Sequence, residues 1–384
     1  MRPISLTGGR VLLPEGEAVA DLRLEDGRVA ALDGGARGLR IDAAGLLVLP
    51  GIVDIHGDAF ERQLQPRPGV DFHARLALRD TEAQLLANGI TTAFHGVTLS
   101  WEPGLRGIET WRALLDALAA ESWTCDMRVH LRWEAYNLDA LDTALEAIAG
   151  GRVHLLAFND HTPAILRKLR DPVAGAKFSE RAGLTLPAFR ALAERIASYE
   201  PDVPAALARI AAAARAARIP IASHDDASTD ARATFRTLGA RICEFPMAEE
   251  VARAARGAGD AVVMGSPNVV RGRSHLGWAS AERMVGDGVC TVLSSDYYYP
   301  AMAQAALRIA AGALGLARAW ALISAAPADA AGLTDRGRIR EGLRADIALV
   351  DPGASRVVAT ITAGRLAYLS SEGAARLSME ELPG

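Results

Sequence analysis

The stretch Gly51-Ile52-Val53-Asp54-Ile55-His56-Gly57-Asp58 is an apolar run that ends in an imidazole and a carboxylate. His56 and Asp58 are two residues apart, so their side chains point the same way on an extended chain. An imidazole and a carboxylate on one face can chelate a divalent metal. Taken alone, the stretch favours a simpler interpretation, in which His56 caps the strand and Asp58 begins the next helix.

Short apolar runs with polar ends recur through the middle of the chain and alternate with helical stretches such as Ala205–Arg218 and Ala303–Ala317. This alternation predicts a parallel sheet. The predicted strands are Ile52–His56, Ile90–Phe94, Met127–Trp133, Val153–Asn159, Ile219–Ser223, Ala240–Phe245, Ala261–Gly265 and Thr291–Ser294. Because no Gly-rich dinucleotide loop follows the first strand, the pattern favours an α/β fold of the (β/α)8 TIM-barrel type over an open doubly wound sheet.

Both ends of the chain have a different character from the middle. Residues 1–50 and the last fifty residues contain short alternating β-like runs with turn signals, such as Glu25-Asp26-Gly27-Arg28. We therefore expect a small β-sandwich domain from residues 1–50 and 336–384, and a barrel from residues 51–335.

The composition excludes several classes of protein. The chain has 384 residues, half of them hydrophobic, and 42 basic against 46 acidic residues, so it lacks the basic excess of general nucleic-acid binders. Cys125, Cys243 and Cys290 are too widely spaced for a disulfide framework or a zinc ribbon, which favours a reducing cytoplasm. Apolar runs are too short for a membrane span, so we expect no membrane partner.

Polar side chains collect at the ends of the other predicted strands. His130, Arg132 and Glu134 alternate onto one face of the third strand, and further His and Asp residues end the fourth, fifth and eighth. The C-terminal ends of barrel strands share one face, where barrel enzymes carry their chemistry. The predicted metal ligands are His56, Asp58, Glu134, His161, His224 and Asp296.

Two of these ligands have structural alternatives. Glu134 could pair with a neighbouring arginine, and His161, ahead of a Thr-Pro step, could cap the following turn. His224 and Asp296 each end an apolar strand beside polar residues that do not belong in a core, which favours a functional role.

Candidate anion-binding residues follow the first and seventh strands. Fork-shaped guanidinium groups suit phosphate oxygens. The predicted substrate-binding residues are Arg67, Arg271, Arg273, Ser274 and His275. The alternative is a solvated surface in an arginine-rich chain, but the flanking glycine and the adjacent Ser-His pair favour binding for the loop after the seventh strand.

These motifs resemble the amidohydrolase superfamily in the stretches Leu49–His56 and Gly337–Asp346. More narrowly, they resemble the α-D-ribose 1-methylphosphonate 5-triphosphate diphosphatases of the carbon–phosphorus lyase pathway. The narrower resemblance rests on His56-Gly57-Asp58, Ser223–Ala227, Glu244-Phe245-Pro246, the loop of residues 265–275 and Leu293–Tyr298. It extends over essentially the whole chain.

The resemblance implies a hydrolase that converts a phosphoribosyl triphosphate to the 5-phosphate and pyrophosphate by metal-activated water. It implies one or two divalent ions, with Zn²⁺ expected and Mn²⁺ or Fe²⁺ as alternatives. Asp296 would bind metal and act as the catalytic base. The expected partner is a small anionic substrate, and barrel enzymes of this size often form homo-oligomers.

The sequence departs from the superfamily at several strand ends. Asp58 replaces the second histidine of the first strand, as in the phosphonate branch, and neither Lys168 nor Lys177 is placed to serve as a carboxylated lysine. The sixth strand carries Glu244 in place of a histidine, and His95 ends the second strand, where an acidic residue is more common. No role is predicted for Glu244 or His95.

Two other functions remain open at this stage. The same scaffold could hydrolyse a C–N bond of a small cyclic amide, urea or N-acyl compound, because fold and metal do not choose the bond that is broken. A non-catalytic anion-binding subunit is the third possibility, against which the joint presence of His56, Asp58, His224 and Asp296 argues.

Overall fold

The fold begins with strands that belong to a mixed sheet. The computed structural model describes residues 2–33, 35–67, 69–272 and 280–379. The N-terminal strands are β1 (Ile4–Leu13), β2 (Gly16–Glu25), β3 (Arg28–Leu32), β4 (Leu39–Asp42) and β5 (Leu47–Pro50).

Eight parallel strands follow, and they pair in chain order. They are β6 (Ile52–Gly57), β7 (Ile90–Leu99), β8 (Asp126–Glu134), β9 (Leu155–Asn159), β10 (Ile221–His224), β11 (Ile242–Glu244), β12 (Ala261–Gly265) and β13 (Val292–Ser294). The last strands return to the mixed sheet: β14 (Ile347–Asp351), β15 (Arg356–Thr362), β16 (Arg365–Leu369) and β17 (Leu377–Met379).

Helices connect the parallel strands and cover them. Their bounds are α1 (Glu61–Leu64), α2 (Ala74–Ala87), α3 (Ile108–Ala119), α4 (Leu141–Ala149), α5 (Thr162–Lys168), α6 (Pro172–Arg181), α7 (Leu186–Ala197), α8 (Val203–Ala216), α9 (Thr229–Thr237), α10 (Glu249–Gly257), α11 (Ser266–Arg271), α12 (Ala281–Gly286), α13 (Ala301–Ala310), α14 (Leu316–Ala321), α15 (Ala325–Ala330) and α16 (Ser371–Ala375). The 3-10 turns Leu138–Ala140 and Glu200–Asp202 precede α4 and α8.

The parallel sheet closes on itself between its first and last strands. The Asp296 amide donates to the His56 carbonyl at 3.0 Å, and the Asp58 amide donates to the Asp296 carbonyl at 2.9 Å. The predicted eight-stranded barrel is therefore confirmed. The predicted helix Ala303–Ala317 is wrong in extent: α13 ends at Ala310, turns occupy residues 311–314, and Gly315, with φ of 75° and ψ of 164°, is the non-helical residue directly before α14.

Apolar side chains fill the barrel interior before each strand reaches its polar end. The buried cluster includes Val53, Ile55, Phe94, Leu155, Ala157, Ala222, Ile242, Val263 and Val292. Strand β8 contributes no member, because its inward positions carry polar side chains.

The mixed sheet folds over because β1 changes partner halfway along its length. Its first half pairs with β4 and its second half with β5, with a bulge between Leu6 and Gly9. A Cβ at Gly9 would lie 2.5 Å from the Val48 Cγ2 atom, so only glycine permits this close approach. The sheet order β16-β15-β14-β5-β1-β2-β3, with β17 beside β4, joins both ends of the chain in the expected small β-sandwich.

The C-terminal segment is tied to the barrel by buried polar contacts. The indole of Trp320 donates to the Pro50 carbonyl at 2.9 Å. Arg336 donates to the Thr92 hydroxyl at 2.9 Å and to Asp126 at 2.6 Å. Within the described part of the chain, no helix combines the length and the apolar character needed to cross a membrane.

A buried ion pair holds α9 against the barrel wall. Arg232 donates to the Ser223 hydroxyl at 2.6 Å, to the Ala240 carbonyl at 3.0 Å and to Asp260 at 2.6 Å. The Arg232 side chain is 3% exposed and that of Asp260 is fully buried. The two charges of a buried ion pair compensate each other, and removal of one partner leaves the other charge buried with less compensation.

We expect Asp260→Asn to lower the free energy of unfolding by about 3–5 kcal/mol, because it removes the carboxylate that pairs with Arg232 at 2.6 Å and leaves that guanidinium only Asp226, at 3.8 Å. Asp142→Asn is the matched control, since Asp142 pairs with Arg209 on the surface and its side chain is 85% exposed. The control should cost less than about 1 kcal/mol. Urea midpoints measure both variants, and equal shifts would contradict a structural role for the buried pair.

Candidate active site

Glu244, at the end of β11, lies at the centre of a buried group of histidines. Its Oε2 atom accepts hydrogen bonds from the Nδ1 atoms of His56 at 3.0 Å and His224 at 3.3 Å. Each ring therefore carries its proton on Nδ1 and keeps a lone pair on Nε2. A carboxylate that fixes the tautomer and orientation of histidines is typical of metal sites.

His130, on β8, faces the other oxygen of the same carboxylate. Its Nδ1 atom donates to the Ile55 carbonyl at 3.1 Å, so its Nε2 atom is an acceptor. That Nε2 atom lies 3.7 Å from Glu244 Oε1, and neither atom has a hydrogen-bond partner. Two buried acceptors that face each other without a hydrogen between them suit a cation, and the residues present therefore fit a divalent metal ion.

His161, directly before α5, connects two carboxylates. Its Nδ1 atom lies 3.2 Å from Glu134 Oε2 and its Nε2 atom lies 3.5 Å from Asp225 Oδ2. Burial lowers the pKa of His161, but the hydrogen bonds to Asp225 and Glu134 outweigh burial and raise the pKa to about 9. A positive charge is therefore already stabilised between these two carboxylates.

Glu134 lies at the start of α5 in this arrangement. Its Oε1 atom accepts from the amides of His161 at 2.9 Å and Thr162 at 3.2 Å, and from the Thr162 hydroxyl at 3.0 Å. These bonds satisfy orphan donors at a helix N-terminus. Glu134 thus contacts the predicted ligand His161 and also caps the N-terminus of α5.

Two groups of side chains could hold a metal ion, with ligand atoms within 4.8 Å of one another among the described residues. The first group is His56, His224 and Glu244, and the second is His161, His224 and Asp225. His224 belongs to both. Imidazole nitrogens and carboxylate oxygens are ligands for Zn²⁺, Mn²⁺ and Fe²⁺ alike. Of the predicted ligands, Asp58, Glu134 and Asp296 lie outside both groups.

Barrel closure nevertheless places Asp296 and Asp58 beside His56. A Cβ at position 265 would lie 3.1 Å from Asp296 Oδ2, so Gly265 makes room for this carboxylate. Burial and the charge of Asp58 raise the pKa of Asp296 to about 7. Burial and the charge of Glu61 raise the pKa of Asp58 to about 6.

Three residues that follow barrel strands adopt left-handed backbone conformations. Asp225, Phe245 and Asp296 have φ angles of 56°, 50° and 55°. Such strain is uncommon for residues other than glycine and clusters at functional sites. The Phe245 ring packs edge-on against His56 at 4.8 Å and His224 at 5.3 Å between ring centroids, and so shields the histidines from water.

Arg132 places a guanidinium inside the same group of residues. Its Nη2 atom lies 2.9 Å from His224 Nε2, and its Nη1 atom donates to Asp58 Oδ2 at 3.4 Å. The Arg132 side chain is 6% exposed. Burial lowers the pKa values of His56 and His224 well below their usual range, and the positive charge of Arg132 lowers them further. Both rings are therefore neutral, as metal ligation requires.

The predicted anion-binding residues occupy different positions. Arg271 is exposed and donates to the Tyr297 hydroxyl at 3.2 Å, directly after Asp296 in the chain, and the Arg62 guanidinium lies 5.8 Å from the Tyr297 ring. Arg67 is exposed on the loop after α1, where its carbonyl accepts from the Val70 amide. The predicted residues Arg273, Ser274 and His275 lie outside the described residues.

Sequence reasoning did not assign site roles to Glu244, His130, Asp225 or Arg132. Alternation along β8 signals His130 and Arg132, because both share the face of Glu134. Glu244 could have been found in a similar way, because it ends the sixth strand, where the superfamily usually has a histidine. His95, by contrast, pairs with Val129 and points away from His130, toward Phe60 at 5.3 Å, so it does not face the site.

Comparisons with known proteins agree with this architecture. The amidohydrolase family model matches residues 47–373. The chain is 32% identical over 357 residues to the α-D-ribose 1-methylphosphonate 5-triphosphate diphosphatase of Escherichia coli, covering 88% of this chain and 93% of that protein. It is also 32% identical to the dihydropyrimidinase of Rattus norvegicus, but over only 134 residues, 33% of this chain and 24% of that protein.

A solved structure shows the same fold at low identity. The β-aspartyl dipeptidase of Fervidobacterium islandicum superposes with a TM-score of 0.64 and 14% identity, over 100% of this chain and 98% of that one. The predicted resemblance to the amidohydrolase superfamily is therefore confirmed, because the barrel, the terminal sheet and the family match all agree with it. The chain belongs to the amidohydrolase family.

Proposed function

We propose that this protein is a divalent-metal-dependent hydrolase of a phosphoribosyl triphosphate, such as α-D-ribose 1-methylphosphonate 5-triphosphate, and that it releases pyrophosphate and the 5-phosphate. The nearly full-length similarity to the Escherichia coli diphosphatase supports the substrate class. The observation that carries the proposal is the pair of guanidinium groups, Arg62 and Arg271, gathered on Tyr297 beside Asp296. Cations at that position suit a polyphosphate better than a neutral amide.

We propose that one or two divalent ions, Zn²⁺ or alternatively Mn²⁺ or Fe²⁺, are held at the joined ends of the strands. The proposed ligands are His56, Asp58, His161, His224 and Asp296, with Glu244 orienting His56 and His224 and Glu134 orienting His161. A bound divalent ion would make water more acidic and neutralise charge on the attacked phosphorus.

Asp296 is proposed as the catalytic base. Its carboxylate lies at the end of the last barrel strand beside the proposed ligands His56 and Asp58, where it would accept a proton from the attacking water. The bond between the α-phosphorus and the bridging oxygen then breaks, and pyrophosphate leaves. Arg62 and Arg271 would bind the leaving phosphates and stabilise the charge that develops on them.

Hydrolysis of a C–N bond is the second candidate function. The local identity to dihydropyrimidinase favours it, although that match spans a third of this chain. The two candidates separate in one assay of the metal-reconstituted protein. Ribosyl and nucleoside triphosphates are tested for phosphate and pyrophosphate release, and cyclic amides and N-acyl compounds are tested for amide hydrolysis.

We expect pyrophosphate release that stops on addition of a chelator and returns with metal. Amide hydrolysis without pyrophosphate release would overturn the proposed substrate class and leave the family assignment intact. Pyrophosphate release that persists at full rate after the metal is removed would overturn the proposed metal dependence.

We expect Asp296→Asn to lower kcat by about 10²–10⁴-fold, because the amide no longer accepts the proton. Asparagine tolerates the left-handed backbone at this position, so the closing hydrogen bonds of the barrel are retained. Steady-state kinetics and thermal melting measure the two effects separately. Unchanged kcat in a normally folded variant would remove Asp296 from the mechanism.

We expect Glu244→Gln to weaken metal binding by about 10- to 100-fold, because an amide has one acceptor oxygen and no negative charge to orient His56 and His224. Glu134→Gln is the matched comparison, since Glu134 contacts His161 and the start of α5 but lies in neither candidate ligand group. Metal content after dialysis and metal titrations measure both variants. A larger loss of metal in Glu134→Gln than in Glu244→Gln would make Glu134 the more important carboxylate.

A further inference from the structure

Arg132 is a buried cation that the proposed mechanism has not used. It lies on β8 within the barrel, and Gly96 on the neighbouring strand leaves space for it, since a Cβ there would lie 3.2 Å from Arg132 Cδ. Its position directs the guanidinium into the polar end of the barrel rather than into solvent.

The contact with His224 fixes which atom donates. A guanidinium has only donors, so His224 Nε2, 2.9 Å from Arg132 Nη2, must be the acceptor. The Nδ1 atom of His224 then carries the hydrogen that is donated to Glu244 at 3.3 Å. Arg132 thus occupies a lone pair of the kind that a metal ion takes from a neutral histidine.

The second contact of Arg132 has the same character. Its Nη1 atom donates to Asp58 Oδ2 at 3.4 Å, so one guanidinium spans two of the proposed ligands. Its Nε atom is buried and has no hydrogen-bond partner. Arg132 and a metal ion would therefore compete for His224 and Asp58.

The outcome of that competition follows from the charge on arginine. A guanidinium stays charged at any working pH, and a buried charge without a partner is costly. Once His224 and Asp58 bind an ion, Arg132 loses both acceptors and lies near a second cation. An anion placed between them satisfies both, and a phosphoryl group offers several acceptor oxygens in a geometry that guanidinium matches.

We propose that Arg132 holds His224 and Asp58 in the metal-free protein and, when these residues bind an ion, transfers its hydrogen bonds to an oxygen of the reacting phosphoryl group. Arg132 is then a substrate-binding residue at the centre of the site, distinct from the exposed arginines at its mouth. The identity of the anion as a phosphoryl group rests on the proposed function, whereas the competition with metal does not.

The experiment compares Arg132→Met, which removes the guanidinium, with Arg132→Lys, which keeps the charge but loses the fork. Arg152→Met is the matched control, because Arg152 pairs with Asp116 on the surface before β9, at the opposite end of the barrel. Zn²⁺ is titrated into each metal-free protein against a chelating dye. Inorganic phosphate is titrated into each metal-loaded protein by ³¹P NMR, and the bound metal is measured afterwards.

We expect metal-free Arg132→Met to bind Zn²⁺ at least about tenfold more tightly than the unmodified protein, since its competitor is gone. We expect metal-loaded Arg132→Met to bind phosphate about 10- to 100-fold more weakly, as for the loss of a charge-assisted hydrogen bond. The phosphate affinity of Arg132→Lys should fall between those of the unmodified protein and Arg132→Met. Arg152→Met should match the unmodified protein in both titrations.

Unchanged phosphate affinity in both Arg132 variants would overturn the anion-binding role, and unchanged or weaker Zn²⁺ binding by Arg132→Met would overturn the competition. Thermal melting identifies a variant that does not fold, in which case Arg132→Lys decides. These readouts are independent of turnover. Loss of phosphate binding with no pyrophosphate release from any triphosphate would refute the proposed substrate and leave the role of Arg132 intact.

Discussion

The site depends on the main-chain hydrogen bonds that close the barrel between its first and last strands. The Asp296 amide and carbonyl bind the His56 carbonyl and the Asp58 amide, so one pair of bonds completes the sheet and assembles three polar side chains. Below this seam, Asp54 accepts from the Ser295 amide at 3.0 Å and from its hydroxyl at 2.5 Å. The left-handed backbone of Asp296 is the local cost of the closure, and the surrounding bonds maintain it.

Electrostatic balance inside the barrel follows from burial. Glu244 is fully buried, and burial raises its pKa to about 7, while the charges of His130 and Arg132 oppose the rise. Glu244, the histidines His56 and His130 and the guanidinium of Arg132 are thus buried together, where polar groups depend on one another for hydrogen bonds. A cation suits this cluster, because His130 Nε2 and Glu244 Oε1 are buried and have no hydrogen-bond partner.

Much of the fold was predictable from local patterns. Eight apolar runs alternate with helices, and several of them end in His, Asp or Glu, so strand order and the functional face follow from chain direction alone. The extent of the helix after the eighth strand was not predictable from apolar content, because turns at residues 311–314 and the non-helical Gly315 interrupt an apolar stretch. His95 ends the second predicted strand and no role was predicted for it, whereas register places it with Val129 on the helix side of the sheet.

The sequence by itself determined the barrel, the β-rich character of both chain ends and the strand ends at which polar side chains gather. These features follow from hydrophobic periodicity and turn residues, which are local properties of the chain. Only the tertiary structure decided which of those side chains face one another. Glu244 became the partner of His56 and His224 through the closure of a sheet whose strands are far apart in sequence. Arg132 reached His224 because Gly96 leaves room for it, a contact across three strands that no local pattern encodes.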